Sequence, residues 1–137
     1  MMDPELLYYL SDLTKDPQIV TSAVVDHLVS QLDFDLPPDY LELMQSSREW
    51  EGEVGPNSWL LLFPLDQILQ TNRDYILLME RIPDYFLIGK DAADTGFVIH
   101  KLKKTYHSFG LLSDFDTDPI EFCGNNLTEF LAYLYHQ

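Results

Sequence analysis

The pattern in this chain nearest to a metal-ligating motif is Asp114-Phe115-Asp116-Thr117-Asp118, whose alternate aspartates match the opening of a calcium-binding EF-hand loop. Such a loop needs glycine at its sixth position for a sharp turn and a bidentate glutamate at its twelfth. Counted from Asp114, those positions hold Pro119 and Asn125. The stretch is therefore expected to be a solvated acidic loop rather than a calcium site. The histidines, His27, His100, His107 and His136, are scattered along the chain, without the paired spacing of a His-Glu-x-x-His zinc helix. His100 and His107 converge if their strands pair, but half-buried, hydrogen-bonded rings are the expectation there. Cys123 has no basic neighbour in sequence to stabilise a thiolate and reads as a small core residue. No metal and no organic cofactor is expected.

Motifs for covalent or nucleotide-dependent catalysis are absent. There is no Gly-x-Ser-x-Gly elbow, no Walker-type phosphate loop and no Rossmann glycine fingerprint. Carboxylates are abundant enough to supply a general acid and base, which keeps a small hydrolase among the readings, but that abundance makes any chosen pair uninformative. Surface charge accounts for them more simply. The chain is read as having no catalytic residues and as not being an enzyme.

The net charge of −15, from 23 acidic against 8 basic residues, bears directly on partners. Proteins that hold nucleic acid displace backbone counterions with Lys and Arg. Here the only basic cluster in sequence is Lys101, Lys103 and Lys104, so no nucleic-acid partner is expected. An acidic surface favours rapid encounter with a basic protein; the plain alternative is that it maintains solubility. With 46% apolar and 13% aromatic residues, the chain has the material for a packed core.

At 137 residues the chain is read as a single domain, 1–137, with N-terminal helices in 1–33 and the remaining motifs in 34–137. One cysteine excludes an intrachain disulfide and points to a reducing compartment, the cytoplasm. The start, Met1-Met2-Asp3-Pro4-Glu5, is acidic, and no apolar run approaches the ~18 residues of a membrane span. Neither secretion nor a membrane partner is expected.

The elements that must position these residues follow from punctuation and periodicity. Asp3-Pro4 and Asp16-Pro17 each place a capping side chain before a proline, predicting two helix starts. The second helix would carry Val20, Val24, Leu28 and Leu32, joined by Ile19, Ala23 and Val25, as an apolar stripe that packs on a sheet. Pro37-Pro38 ends it and opens a short helix through Met44. Glu53 to Asn57 reads as a turn before an apolar strand, Trp59 to Phe63. Helical spacing follows Pro64 through Leu65, Ile68, Leu69 and Asn72, and a further helical segment spans Tyr75 to Arg81. Tyr85 to Gly89 and Phe97 to His100 read as an antiparallel hairpin, and Thr105 to Phe109 as another strand. Asn126 and Glu129 form a capping-box-like pair at the start of a last helix bearing Leu127, Phe130, Leu131 and Leu134. The expected core includes Leu28, Leu61, Ile88, Phe130 and Leu134.

Several of these segments occur in a recognisable order. Leu36-Pro37-Pro38-Asp39-Tyr40-Leu41-Glu42-Leu43-Met44 is followed by Glu51-Gly52-Glu53-Val54-Gly55 and Trp59-Leu60-Leu61-Leu62-Phe63-Pro64-Leu65. Asn72-Arg73-Asp74-Tyr75, Ile82-Pro83-Asp84-Tyr85-Phe86-Leu87-Ile88-Gly89 and Cys123-Gly124-Asn125-Asn126-Leu127-Thr128-Glu129-Phe130-Leu131-Ala132-Tyr133-Leu134 come next. From about Phe34 onward the chain resembles the SMI1/KNR4 (SUKH) superfamily of bacterial immunity proteins. The resemblance implies an α+β fold, a mixed, mostly antiparallel sheet with helices packed on one face, used as a binding platform. It also implies that the protein neutralises a cognate toxin, a basic nuclease or deaminase domain, by direct binding. The alternative is a regulatory adaptor without a toxin partner.

Fold analogy does not choose a surface. The charged loops flanking the predicted sheet give the expected partner-binding set: Glu49, Trp50, Glu51, Glu53, Asp91, Asp94, Asp114, Asp116 and Asp118. Trp50, flanked by charge, is expected to be partly exposed as an interface anchor, and Trp59, opening an apolar strand, to lie in the core.

Overall fold

A computed structural model describes residues 2–16, 18, 20–112, 115 and 119–137. Among them, β1 (Leu13–Lys15), β2 (Trp50–Val54), β3 (Ser58–Leu62), β4 (Tyr85–Lys90), β5 (Thr95–His100), β6 (Tyr106–Gly110) and β7 (Glu121–Gly124) form one sheet. The strands lie in chain order, and every pairing is antiparallel. The class is α+β, as expected; no parallel pair, which a mixed sheet would need, occurs among the described strands. The helices are α1 (Pro4–Tyr9), α2 (Ser22–Gln31), α3 (Pro38–Ser46), α4 (Ile68–Asp74), α5 (Ile76–Met79) and α6 (Leu127–Tyr135).

The capping signals act locally at both ends of the chain. The Asp3 carboxylate accepts the Glu5 N–H, with Pro4 opening α1. Asn126 accepts the Glu129 N–H, while the Glu129 carboxylate reaches back to the N–H of Asn125, one residue earlier than a standard capping box. The expected start at Asp16-Pro17 is different. Pro17 and Ile19 lie outside the described residues, and α2 begins only at Ser22, capped by Thr21. Tertiary bonds occupy the intervening backbone: Ser47 Oγ donates to the Asp16 carbonyl, and the Arg48 N–H donates to the Gln18 carbonyl. Likewise α4 starts at Ile68, because Pro64 to Gln67 first make a turn closed by Gln67 N–H to Pro64 C=O.

Register divides the sheet into two faces. Trp50, Val54, Leu60 and Leu62 share one, which continues across Gly89 to Phe97, Ile99 and Tyr106; Glu51, Glu53, Trp59 and Leu61 share the other. Helix α6 covers the first face. Phe130 stacks on Tyr106 with centroids 5.3 Å apart and meets Phe97 edge-on at the same separation. Leu28, Ile88, Phe130 and Leu134 are buried as expected, whereas Leu61, on the second face, is only partly so. Helix α2 contributes to the same apolar core as the inward residues of the strands. It buries Val25 and Leu28 and faces α4 across a groove of about 420 Å³.

One carboxylate joins three elements. Asp39, in the first turn of α3, accepts the Tyr40 N–H at 2.8 Å, the Tyr106 hydroxyl at 3.1 Å and the Leu127 N–H at 2.8 Å. It therefore satisfies donors at the start of its own helix and of α6 while tethering β6.

Candidate functional site

The candidate site originates in a break in strand pairing. Strands β3 and β4 pair only at Leu61↔Lys90 and Leu62↔Gly89, supplemented by Phe63 N–H to the carbonyl of Ile88, beside a register shift between Leu87 and Gly89. Their backbones meet closely there: a Cβ on Gly89 would lie 2.5 Å from the Leu61 carbonyl oxygen. From Leu60 back to Ser58, β3 has no partner on that side among the described residues, because β4 ends at Lys90 and the chain turns. Asp91 shapes the turn, its Oδ1 accepting the N–H groups of Ala93 and Thr95. The Leu111 N–H donates to the Asp94 carbonyl at 2.6 Å, tying the turn to the end of β6.

The result is a cleft of about 920 Å³ at one end of the sheet, reaching the C-terminal part of α6. Glu53, Asp91, Asp94 and Glu121 line it, with Trp59 and Tyr133 as its aromatic side chains of intermediate exposure and Phe97, Phe109 and Leu134 as buried lining. Glu53 lies directly across the strand pair from Trp59. Glu121 accepts a hydrogen bond from the Tyr133 hydroxyl at 3.2 Å, and Asn57 donates to the carbonyl of Gln137 at 2.9 Å. No lysine, arginine or histidine is among the described lining residues. Four carboxylates and an accessible indole suit a cationic ligand, because the acids supply charge-assisted acceptors and the indole a face for a guanidinium. Among the described residues, no three His, Cys, Asp or Glu side chains come together as a metal site would require.

The structure sorts the carboxylates of the expected binding set into four groups. Glu53, Asp91 and Asp94 converge on the cleft. Glu51 is exposed on the same strand and face but does not line it. Glu49 pairs with Arg48 at 3.0 Å, in a cluster where Arg48 also meets Asp66 at 3.2 Å. Asp114, Asp116 and Asp118 lie outside the described residues.

Trp50 corrects the sequence reading. It is 2% exposed, and its indole N–H donates to the Leu43 carbonyl at 3.2 Å, so it anchors α3 to the sheet and does not reach the surface. The tryptophan that lines the cleft is Trp59, expected in the core. The alternation of Glu51 and Glu53 with Trp50, Gly52 and Val54 carried this signal. Read as a strand, it puts Trp50 and Val54 on one face and both glutamates on the other. Glu121, which the sequence did not single out, belongs to the unanticipated strand β7.

The remaining candidates have structural roles. His100 and His107 do approach, with ring centroids 6.4 Å apart. His100 Nδ1 accepts the N–H groups of Leu102 and Lys103, and His107 Nε2 bonds the Thr105 hydroxyl at 2.7 Å. Burial, followed by the neighbouring His100 and Lys103, holds the His107 ring below the ordinary histidine pKa. Cys123 is buried, and burial pushes its thiol up, the opposite of a reactive thiolate. The lysine cluster sits in the β5–β6 turn, at the opposite end of the sheet from the cleft. There Lys101 and Lys104 lie over the Phe34 ring at 5.4 and 5.5 Å.

Neither a protein-family model nor a curated protein matches the chain. The fold and the cleft define an α+β protein with an acidic, aromatic-lined recess. No described helix is long and apolar enough to cross a membrane.

Proposed function

We propose that this is a binding protein of the immunity type, a relative of the SMI1/KNR4 superfamily, that neutralises a basic toxin domain by holding it at the acidic cleft. The observation that carries the reading is the lining itself: Glu53, Asp91, Asp94 and Glu121 around Trp59, with no described cation among them. Unneutralised carboxylates in a recess raise the local concentration of a basic partner and speed its encounter. They occupy the role that phosphates play for a nuclease or deaminase surface. The protein acts by steric occlusion, with no catalytic residue, metal or organic cofactor of its own, in a reducing compartment such as the cytoplasm.

The resemblance is supported by what its motifs do in the fold. Pro38 opens α3, Gly55 turns β2 into β3 with φ at +71°, Gly89 permits the close approach of β3 and β4, and Asn126 caps α6.

The test is a comparison of baits. Wild-type protein and a Glu53→Lys/Asp94→Lys variant are exposed to host lysate, and any basic polypeptide retained only by the wild type is expressed alone. Growth arrest relieved by co-expressed wild type, but not by the variant, is the expected result. A retained partner without toxicity would favour the adaptor role. Equal retention of the same partners by both baits would remove the cleft from the binding surface.

A further inference from the structure

The acidic lining is only half of the cleft's chemistry; the other half is backbone. An interior strand directs its N–H and C=O groups alternately to the strands on either side. β3 is paired with β2 along its whole length, Ser58 to Leu62, but with β4 only at Leu61 and Leu62. Among the described residues, Ser58 to Leu60 therefore has no partner strand on the β4 side and opens onto the cleft lined by Ser58 and Trp59. Folded proteins blunt exposed edges with proline, lysine or bulges. This stretch, Ser58-Trp59-Leu60, carries none of them. The Phe63 N–H donates to β4; by alternation Leu61 and Trp59 turn their backbone groups to that side and Leu60 turns its own to β2, so Trp59 carries the N–H and C=O left open there among the described residues.

We propose that the cleft takes an extended, basic segment of the partner as an added strand on the Ser58–Leu60 edge. This rests on the reading that the cleft is the binding surface and specifies how recognition occurs. An added strand alternates its side chains between the two faces of the sheet. On the face shared by Glu53 and Trp59, arginines or lysines meet the carboxylate and the indole, with Asp91 and Asp94 on the opposite wall. On the other face, small apolar residues approach Phe97 and Leu134. The preferred ligand is thus an extended peptide of alternating cationic and apolar residues, and main-chain hydrogen bonds to β3 fix its position.

The probe is a short capped peptide of alternating arginine and valine, with two derivatives, one N-methylated at every arginine and one at every valine. In an extended chain each set of methyl groups blocks one edge and leaves side-chain charge unchanged. Strand addition predicts that one derivative loses roughly tenfold or more in affinity, the equivalent of one or two hydrogen bonds, while the other binds as the parent does. Exchange of the Trp59 amide should slow when the parent peptide is added, and Glu53→Gln/Asp94→Asn should weaken all binding peptides together. Equal affinities for the two derivatives, or no saturable binding of the parent, would overturn strand addition. Neither result touches the reading of the cleft as an acidic binding surface, which stands or falls on the charge-reversed bait.

Discussion

Asn72 and Leu87 exchange two hydrogen bonds: Asn72 Oδ1 accepts the Leu87 N–H at 3.0 Å, and its Nδ2 donates to the Leu87 carbonyl at 2.9 Å. The side-chain amide thereby acts as a one-residue strand on the edge of β4, where pairing with β3 has stopped. The same Nδ2 donates to the Ile68 carbonyl at 2.9 Å, so α4 is coupled to the sheet through this residue. Leu87 is fully buried, and water is a poor substitute for the amide. Asn72→Ala should destabilise the protein by about 2–4 kcal/mol, from three lost side-chain bonds, two of which leave the buried N–H and C=O of Leu87 unsatisfied. Urea unfolding measures this; a change below about 0.5 kcal/mol would mean that the amide is dispensable to β4.

The two tryptophans should report opposite environments. With Trp59→Phe, the emission of Trp50 should be blue-shifted and poorly quenched by acrylamide. With Trp50→Phe, emission from Trp59 should lie further to the red and be quenched several times more strongly. Trp50→Phe should cost about 2 kcal/mol through the lost bond to Leu43 and the volume removed, and Trp59→Phe under about 0.5. Equal quenching would contradict the assigned register of β2 and β3.

Tyr40 is fully buried, and its hydroxyl has no hydrogen-bond partner among the described residues. Such a group is paired with water in the unfolded chain and unpaired in the folded one. Tyr40→Phe should therefore stabilise the protein by about 1 kcal/mol or leave it unchanged. A loss exceeding about 1 kcal/mol would reveal a partner for the hydroxyl.

Alkaline stability follows from Tyr40 and Tyr106. Burial holds both hydroxyls well above the ordinary value of 10.0, and for Tyr106 the Asp39 carboxylate adds to the effect. Above pH 10 the unfolded chain loses these protons while the folded chain keeps them, so the folded state binds more protons and stability falls as pH rises. The contribution is complete below the unfolded pKa. Above it, each tyrosine should remove about 1.4 kcal/mol per pH unit until the protein unfolds. Absorbance at tyrosinate wavelengths should show both groups ionising together with loss of structure. Their titration in the intact fold near pH 10 would refute the burial argument.

Signals confined to a few neighbouring residues were legible in the sequence. Asp3 and Asn126 cap helices because a short polar side chain reaches amides only two or three positions away. The runs Tyr85 to Gly89 and Phe97 to His100 form strands because apolar stretches bounded by turn residues suit little else. Composition likewise determined the strong acidity of the chain and its single cysteine. Tertiary structure decided what depends on pairing between distant segments. Strand β1 has three residues, too few for a periodic signal, and forms against β2. The interior placement of Trp50 follows from the register Trp50↔Leu62, which puts Trp50 under the helices and Trp59 beside Glu53 on the other face. A one-residue shift would exchange those faces, and no local propensity distinguishes the two registers. The cleft arises in the same way. Gly89 lets β4 approach β3 for only two residue pairs before the chain turns at Asp91, and that interruption brings Glu53, Asp91, Asp94 and Glu121, from three separate stretches of the chain, to one opening.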